Sequence, residues 1–261
     1  MLLVLGAAML VGGVGREKQR FSSTSASIQN TMLMLAAGAL IMPAIFELVE
    51  GKGLPQPASE AVNYGGTVEH LSLAVAIVLI VTYVMGLVFS LKTHRDLFNP
   101  EYEAEDTWGW SVRASVIALA IAGVAVGVMS EVLVGSISEA SESIGLSEFF
   151  IGAIVVAIVG NAAEHWVAVL VAFKGKMDLA VNIAIGSSAQ VALFVAPVLV
   201  FASFAIGPSP MPLVFNGFEL GAILLAALIA NAVTSEGEST WFEGVQLLAV
   251  YAVLAIAFFV A

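Results

Sequence analysis

The sequence of 261 residues contains no cysteine and very little charge. The absence of cysteine excludes disulfides and thiolate metal sites. Charged residues make up 11% of the chain, whereas a soluble domain carries about a quarter, so this composition does not cover a water-facing surface. Nine Lys and Arg residues and a net charge of −11 leave no basic surface for nucleic acid. A soluble enzyme or a nucleic-acid-binding protein is therefore excluded.

Long apolar runs take the place of the missing charge. Apolar residues form 60% of the chain, and the mean hydropathy is +1.00. The runs approach the roughly twenty residues that a helix needs to cross ~30 Å of hydrocarbon. They are continuous rather than alternating, which favours helices over a barrel. We predict an all-α integral membrane protein, a multi-span helical bundle with spans at 31–49, 69–91, 112–137, 149–173, 177–206, 213–233 and 241–261. A shorter run at 1–14 reads as the end of a helix whose beginning is missing.

Basic residues predict the orientation of these spans. Eight of the nine Lys and Arg residues lie in alternate connections, and only Lys52 lies in the others. Basic residues in short loops are retained on the cytoplasmic side of a membrane. We therefore expect the loops 15–30, 92–111, 174–176 and 234–240 to be cytoplasmic and both ends of the chain to be external. The short loops favour a prokaryotic cell membrane.

One run carries an ionisable residue at its middle. Glu164 lies sixteen residues into the run 149–173, with Asn161 one turn before it. A charged residue near the bilayer centre costs at least ~2.5 kcal/mol on insertion scales, so it marks a functional site by default. Gly160 and the small residues after it predict a break in the helix, which is how transporters expose backbone carbonyls to ions. For His165, proton exchange and a simple bond to a neighbouring carbonyl both stay open.

The next run places further polar residues at the same depth. Ser187, Ser188 and Gln190 lie near the middle of 177–206, and only about four residues connect the two runs. A short turn forces neighbouring helices to pack antiparallel, so these groups and Glu164 are expected to line one cavity. Alternatively, small residues and hydroxyls merely let helices approach and bond to each other. That alternative accounts for the serines but not for Asn161 and Glu164 one turn apart.

Oxygen ligands without thiolate suit a hard cation such as Ca²⁺. One glutamate does not neutralise a divalent ion in low dielectric, so a second carboxylate is needed nearby. Glu131 is the best remaining candidate, but it lies towards the outer end of the run 112–137. We interpret it as a pathway or gate residue, with a surface glutamate that reaches the interface as the alternative. Glu47 and Glu219 lie nearer span ends and are expected at the interface.

These residues resemble a known family. The segment Gly160-Asn161-Ala162-Ala163-Glu164-His165 resembles the second repeat motif of the cation/proton antiporters that exchange Ca²⁺ for H⁺, within the wider cation/Ca²⁺ exchanger superfamily. The stretches 130–152, 176–197 and 237–251 resemble the helix before the motif, the helix after it and the final span. Sodium/calcium exchangers are similar in architecture but typically lack the histidine, which makes them the more distant resemblance.

The resemblance implies an inverted-repeat exchanger fold with a partial first repeat at 1–91, an acidic cytoplasmic linker at 92–111 and a complete second repeat at 112–261. The first two helices, with the second glutamate, are then missing. It implies a Ca²⁺/H⁺ antiporter and not an enzyme, without a cofactor besides the transported Ca²⁺ and H⁺. Alternatives are a Na⁺-coupled Ca²⁺ exchanger and a membrane assembly partner without transport activity, and a homo-oligomer stays open. The expected cation ligands are Glu164, Asn161, Gly160, Ser187, Ser188 and Gln190, and the proton or gating residues are His165 and Glu131.

Overall fold

The computed structural model describes residues 1–56, 65–94, 109–207 and 209–261, and most of them are helical. Two residue pairs, β1 (Gln19–Arg20) and β2 (Glu238–Ser239), form an antiparallel ribbon. The helices are α1 (Leu2–Gly13), α2 (Ser23–Val49), α3 (Gly66–Val88), α4 (Val112–Ile144), α5 (Glu148–Gly160), α6 (Ala162–Phe173), α7 (Met177–Gln190), α8 (Ala196–Ile206), α9 (Gly217–Thr234) and α10 (Trp241–Val260). π-Helical segments lie at Phe89–Thr93, at Ile151–Val156 within α5, and at Val191–Val195 between α7 and α8.

The seven predicted spans are confirmed. Within the described residues, six continuous helical segments are long and apolar enough to cross a membrane. The seventh predicted span, 149–173, is divided into α5 and α6, which meet at an angle of 56°. The predicted break of this helix is therefore present. α7, the π-helical segment and α8 together form the span Met177–Ile206, as the sequence predicted.

Two helix starts differ from the prediction, because polar residues form the first turns. α2 begins at Ser23, where the Ser22 hydroxyl accepts a hydrogen bond from the Ser25 amide, so the loop expected at 15–30 ends at residue 22. α9 begins at Gly217 after a capping box made by Asn216 and Glu219. Residues 95–108, most of the predicted linker 92–111, lie outside the described residues.

α1 lies at the centre of the packing. It contacts α10, α6 and α7, and its Leu5, Ala8 and Met9 side chains are fully buried. Glycines allow the close approach to α10, since a Cβ on Gly244 would lie 2.7 Å from the Gly6 carbonyl oxygen. Small residues bring transmembrane helices together in this way because lipid supplies no hydrophobic force between them.

Two further helix contacts join the N-terminal part of the chain to the C-terminal part. α1 contacts α10, and α8 contacts α3. α2 lies between α7 and α9, and the Asn30 amide donates a buried hydrogen bond to the Thr234 hydroxyl at 2.5 Å. α2 and α9 therefore pack side by side where the two halves of the chain meet.

Three connections lie together at one end of the bundle, here named the ribbon end. The ribbon joins the α1–α2 connection to the α9–α10 connection, with Gln19 opposite Ser239. The Arg16 guanidinium donates hydrogen bonds to the carbonyls of Ala172 and Phe173 at 3.4 and 3.3 Å. A cation at a helix C-terminus satisfies free carbonyls and opposes the negative end of the helix dipole. Arg16 therefore fixes the end of α6.

Candidate cation site at the broken helix

The break between α5 and α6 is centred on Asn161. Its backbone leaves the helical region, with φ −112° and ψ 20°. Its side-chain nitrogen donates a hydrogen bond to the Ala157 carbonyl at 2.9 Å, and its own carbonyl accepts one from the His165 amide at 3.0 Å. The amide nitrogen is therefore engaged with α5, and Oδ1 is the atom that remains as an acceptor. The π-helical segment Ile151–Val156 precedes this break, and such segments are frequent at functional sites.

Glu164 lies in the first turn of α6, just after the break. A carboxylate is stabilised there by the free amides and the positive end of the helix dipole. The side chain is exposed in the described structure, and no atom would lie within 4 Å of a Cβ on Gly160. The motif therefore presents its carboxylate on an open face of the bundle.

α6 and α7 pack against each other as antiparallel neighbours, as predicted. Gly175 makes the tight turn between them with φ +79°, a value that favours glycine. Glu164 precedes the turn residue Lys174 by ten positions and Ser187 follows Lys176 by eleven. At ~1.5 Å per helical residue, both lie ~15–17 Å from the ribbon end. The equal depth of Glu164 and Ser187 stays a prediction, which the contact between α6 and α7 supports.

The two serines have their hydroxyl hydrogens engaged. Ser187 and Ser188 both donate to the Ala184 carbonyl, at 3.5 and 3.1 Å. Their oxygen lone pairs remain available as acceptors. Both side chains are half-buried. The serines thus have the donor chemistry of cation ligands.

Gln190 and Gly186 lie on the wall of a cavity of about 260 Å³ between α2, the end of α3 and α7. Gln190 is exposed and ends α7, directly before the π-helical segment Val191–Val195. Glu164 and Asn161 do not line this cavity. Gln190 and Gly186 therefore line a cavity that Glu164 and Asn161 do not, and a cation site shared by all the expected ligands stays a prediction.

Glu131 is exposed on α4, and His165 is half-buried on α6. α4 contacts α5, and none of the residues in its apolar segment Val112–Ile137 is buried. Within the described residues, no group of three or more His, Asp and Glu side chains is placed to hold a metal ion. The roles of Glu131 and His165 stay predictions.

Glu47 and Glu219, the two glutamates expected at the membrane interface, both make polar contacts near helix ends. The Glu47 side chain is fully buried against the bundle in the last turn of α2, and its Oε1 lies 3.4 Å from the Lys52 ammonium, while its depth at the membrane interface stays a prediction. Hydropathy places residue 47 near a span end but carries no information on the contact between α2 and α9. Glu219 accepts a hydrogen bond from the Asn216 amide at 2.9 Å in the capping box of α9.

A polar contact between α2 and α7 was not predicted from the sequence. The Asn182 side-chain oxygen accepts hydrogen bonds from the Gln29 amide at 2.8 Å and from the Ser25 hydroxyl at 3.0 Å. A signal for it exists in the sequence, because Asp178, Asn182, Gly186 and Gln190 recur every four residues. That spacing places them on one face of a helix.

Charge at the ribbon end holds the connections together. The Lys18 ammonium lies 2.6 Å from the Glu238 carboxylate, and Arg20 lies 3.2 Å from the other oxygen of Glu238. The hydrogen bond from Lys18 lowers the pKa of Glu238, and the same bond raises the pKa of Lys18. Both groups are therefore charged at neutral pH.

The all-helical bundle with one span broken at mid-length is the inverted-repeat exchanger fold of an integral membrane protein. The profile of the family described as sodium/calcium exchanger protein matches residues 114–260, more than half of the chain. The chain therefore belongs to the sodium/calcium exchanger protein family, and the resemblance drawn from the motif is confirmed.

Relatives within the family are similar over almost the whole chain. A Ca²⁺/H⁺ antiporter of Aphanothece halophytica is 41% identical over 279 residues, which cover 99% of this chain and 70% of that protein. The Ca²⁺/H⁺ antiporter ChaA of Bacillus subtilis is 42% identical over 264 residues, with coverage of 99% and 71%. The solved structure of native YfkE has a TM-score of 0.78 at 38% identity and covers 100% of this chain and 71% of that one. The H⁺/Ca²⁺ exchanger CAX, at 16% identity and a TM-score of 0.65, is similar in fold, covering 99% of this chain and 68% of its own.

Proposed function

We propose that this chain carries out Ca²⁺/H⁺ antiport through a carboxylate site at the break between α5 and α6. The observation that carries the proposal is the pair formed by Asn161 and Glu164 at a helix break inside an apolar span. An intramembrane carboxylate requires a function, since its insertion is costly. Relatives at 41–42% identity are Ca²⁺/H⁺ antiporters.

The proposed ligands supply only oxygen. Glu164 supplies the charge, Asn161 supplies Oδ1, and Gly160 supplies a backbone carbonyl at the break. Ser187, Ser188 and Gln190 supply hydroxyl and amide oxygens from α7. Ca²⁺ takes about 6–8 oxygen ligands in a flexible arrangement, so this donor set fits it.

Exchange follows from the competition of two cations for one carboxylate. Protonation of Glu164 removes the negative charge that holds Ca²⁺, and Ca²⁺ in turn disfavours the proton, so each substrate lowers the affinity for the other. His165 is proposed to take part in proton transfer, and Glu131 is proposed to act in the pathway or gate. One carboxylate leaves a bound Ca²⁺ with a net charge of +1, so a second carboxylate near Glu164 would strengthen the binding of Ca²⁺.

We further propose a repeat organisation in which 1–91 belongs to the first repeat, 92–111 links the halves and 112–261 is the second repeat. The contacts of α1 with α10 and of α8 with α3 support it. In an inverted repeat α1 corresponds to α8 and α10 to α3, so one contact is the counterpart of the other. The ribbon end is proposed to be cytoplasmic, since Arg16, Lys18, Arg20, Lys174 and Lys176 lie there. A prokaryotic cell membrane is the proposed location.

The test is ⁴⁵Ca²⁺ uptake into proteoliposomes that contain the purified chain, with an imposed pH gradient. We expect uptake that collapses when a protonophore abolishes the gradient. Glu164→Gln removes the charge with little change of shape, so it is expected to abolish uptake. Glu236→Gln is the matched control, because Glu236 is exposed in the α9–α10 connection, outside the spans.

Each alternative predicts another result. Uptake driven by a sodium gradient at fixed pH would replace the proposal with a Na⁺-coupled exchanger. No uptake under either gradient, with uptake restored by a second polypeptide, would make the chain an assembly partner. Equal uptake by the parent chain and Glu164→Gln would overturn the site.

A further inference from the structure

Arg16 joins the ends of two helices. Its Nη1 donates a hydrogen bond to the Gly12 carbonyl in the last turn of α1 at 2.9 Å. The same guanidinium donates to the carbonyls of Ala172 and Phe173 at the end of α6, at 3.4 and 3.3 Å. A guanidinium carries its donors in a rigid, planar fork, so it holds acceptors from two helices in one arrangement. α1 and α6 therefore end at one cap, here named the shared cap and formed by Arg16 with these three carbonyls.

Two glycines lie against the shared cap. A Cβ on Gly12 would lie 2.9 Å from the Ala172 carbonyl oxygen, so the ends of α1 and α6 are in close contact. A Cβ on Gly175 would lie 3.3 Å from Nη2 of Arg16. Gly175 belongs to the turn that connects α6 to α7. The shared cap thus holds the end of α6 and lies against the turn from which α7 starts.

Along its length, α6 packs through small apolar side chains. It contacts α1 and α7, and its Ala168 and Ala172 side chains are fully buried. Contacts between methyl groups have little direction, and lipid supplies no hydrophobic force that fixes one helix against another. Hydrogen bonds are directional. Within the described residues, Arg16 supplies the side-chain hydrogen bonds that reach α6 from a distant part of the chain.

Glu164 lies at the opposite end of α6, where its side chain is exposed. The helix break separates this end from α5, whose axis differs by 56°. The hydrogen bond from Asn161 to Ala157 joins the break to α5 and not to α1 or α7. α6 is a continuous helix of 12 residues, ~18 Å long, so its two ends move together. The position of the shared cap is therefore transmitted along α6 to the carboxylate.

We propose that Arg16 is a positioning residue of the cation site, which acts through α6 to place the Glu164 carboxylate relative to Ser187 and Ser188 on α7. This role rests on the proposed function, because it requires Glu164 to be a cation ligand. α7 starts from the turn beside the shared cap, so the cap fixes both helices from one point.

The proposed role requires an accurate placement of α6. Ligands of a binding site have to be held within about 0.5 Å of the productive geometry. Loss of the shared cap frees α6 to move along α1 and α7, which changes the distances between the carboxylate and the serines. No ligand is removed by such a change. The expected result is weaker binding of Ca²⁺ by a chain that is still folded.

Fluorine NMR follows α6 directly, because the chain contains no cysteine of its own. Trp166→Cys places a single thiol at an exposed position of α6, two residues after Glu164, and a trifluoromethyl label is attached to it. Spectra of the purified chain in detergent are recorded without Ca²⁺ and during a titration with CaCl₂. The spectrum without Ca²⁺ reports the placement of α6, and the titration gives the half-saturating Ca²⁺ concentration.

Two variants disrupt the shared cap in different ways. Arg16→Gln removes the guanidinium, and Gly12→Ala introduces a methyl group between α1 and the end of α6. We expect each variant to shift or split the fluorine resonance in the absence of Ca²⁺ and to raise the half-saturating Ca²⁺ concentration at least fivefold. Arg16→Lys keeps a cation with several donors but not the planar fork, so its values should lie between those of Arg16→Gln and the parent.

Two controls separate this role from charge and from general stability. Arg20→Gln removes a basic residue of the same connection, whose side chain is 82% exposed and pairs with Glu238. Gly244→Ala disturbs the packing of α10 on α1 and leaves the shared cap intact. Both variants are expected to keep the parent resonance and a half-saturating Ca²⁺ concentration within twofold of the parent value.

An unchanged resonance and an unchanged half-saturating concentration in both Arg16→Gln and Gly12→Ala would overturn the positioning role. Equal changes in Gly244→Ala would also overturn it, because a general loss of stability would then account for them. A parent resonance that does not respond to Ca²⁺ would instead contradict the proposed function. The spectra without Ca²⁺ would in that case still decide whether Arg16 fixes the placement of α6.

Discussion

The side-chain nitrogen of Asn161 donates a hydrogen bond to the Ala157 carbonyl at 2.9 Å, at the point where the span bends by 56°. Through this bond α5 fixes the orientation of the amide. The nitrogen satisfies a carbonyl that the broken helix leaves free, and Oδ1 is directed to the other side of the amide. Asn161 therefore combines a structural contact with a proposed ligand atom.

Asn161→Ala tests the ligand role of this amide. We expect the apparent affinity for Ca²⁺ to fall at least tenfold, which corresponds to about 1.4 kcal/mol, because one oxygen ligand is lost. Asn161→Asp keeps an oxygen at this position and should retain more affinity. The measurement is the Ca²⁺ dependence of uptake in proteoliposomes, with helix content checked by circular dichroism. Unchanged affinity in both variants would show that Asn161 caps the end of α5 and does not bind the cation.

Gly244→Ala tests the close packing of α10 on α1. The new methyl group would lie 2.7 Å from the Gly6 carbonyl oxygen, so the helices must separate. We expect a loss of about 1–3 kcal/mol, as for other overpacked sites. The midpoint of thermal unfolding in detergent measures it. Gly38→Ala is the control, because no atom lies within 4 Å of that position and alanine favours helix. A midpoint for Gly244→Ala at or above that of Gly38→Ala would contradict the packing.

The spans and the helix break could be predicted from the sequence because both depend on local composition. An apolar run of about twenty residues has one stable form in lipid, and Gly160 and Asn161 weaken a helix wherever they occur. The antiparallel contact of α6 and α7 followed from the short turn between them. These properties need no knowledge of distant residues.

Other features depend on contacts between residues far apart in the chain. Glu47 is fully buried in a helix that packs against α9, some 170 positions later in the chain, and hydropathy reports neither the burial nor that contact. The pairing of Gln19 with Ser239 joins two connections that show no strand pattern, since each strand has two residues. The contact of Asn182 was missed because the groups that donate its hydrogen bonds lie on α2. The only signal for it in its own helix is the four-residue spacing of the polar side chains.

Glu238 gives a prediction for pH. Its pKa lies below the ordinary value of 4.5 because Lys18 donates a hydrogen bond to the folded carboxylate. The stabilisation from this pair is complete above that ordinary value and is lost as pH falls from it through the folded pKa. The pKa of Lys18 is raised from 10.5 by the same bond, so its contribution is complete below 10.5 and is lost as pH rises through its folded pKa.

Thermal unfolding of the parent chain and Glu238→Gln between pH 3 and pH 8 measures this contribution. We expect a small, constant difference in the unfolding midpoint above about pH 5.5, and its disappearance below the ordinary carboxyl pKa. Glu17→Gln is the control, since Glu17 is an exposed residue of the same connection. A difference that grows towards acid pH would contradict the assigned ion pair.

Glu47 and Lys52 provide the last test, because one partner is fully buried and the other is about half-exposed. Lys52 also lies 3.1 Å from Glu50, whose hydrogen bond is the main cause of its raised pKa. Within the described residues, Oε2 of Glu47 has no hydrogen-bond partner, so the carboxylate depends on Lys52 for compensation of its charge. Removing one partner of such a pair leaves an uncompensated buried charge. Lys52→Met is therefore expected to lower the unfolding midpoint by a few degrees, and adding Glu47→Gln should restore most of the loss, because a neutral amide needs no cation. Glu50→Gln controls for the exposed partner and should have a smaller effect. If Glu47→Gln lowered the midpoint of Lys52→Met further, the buried carboxylate would be stabilised by groups other than Lys52.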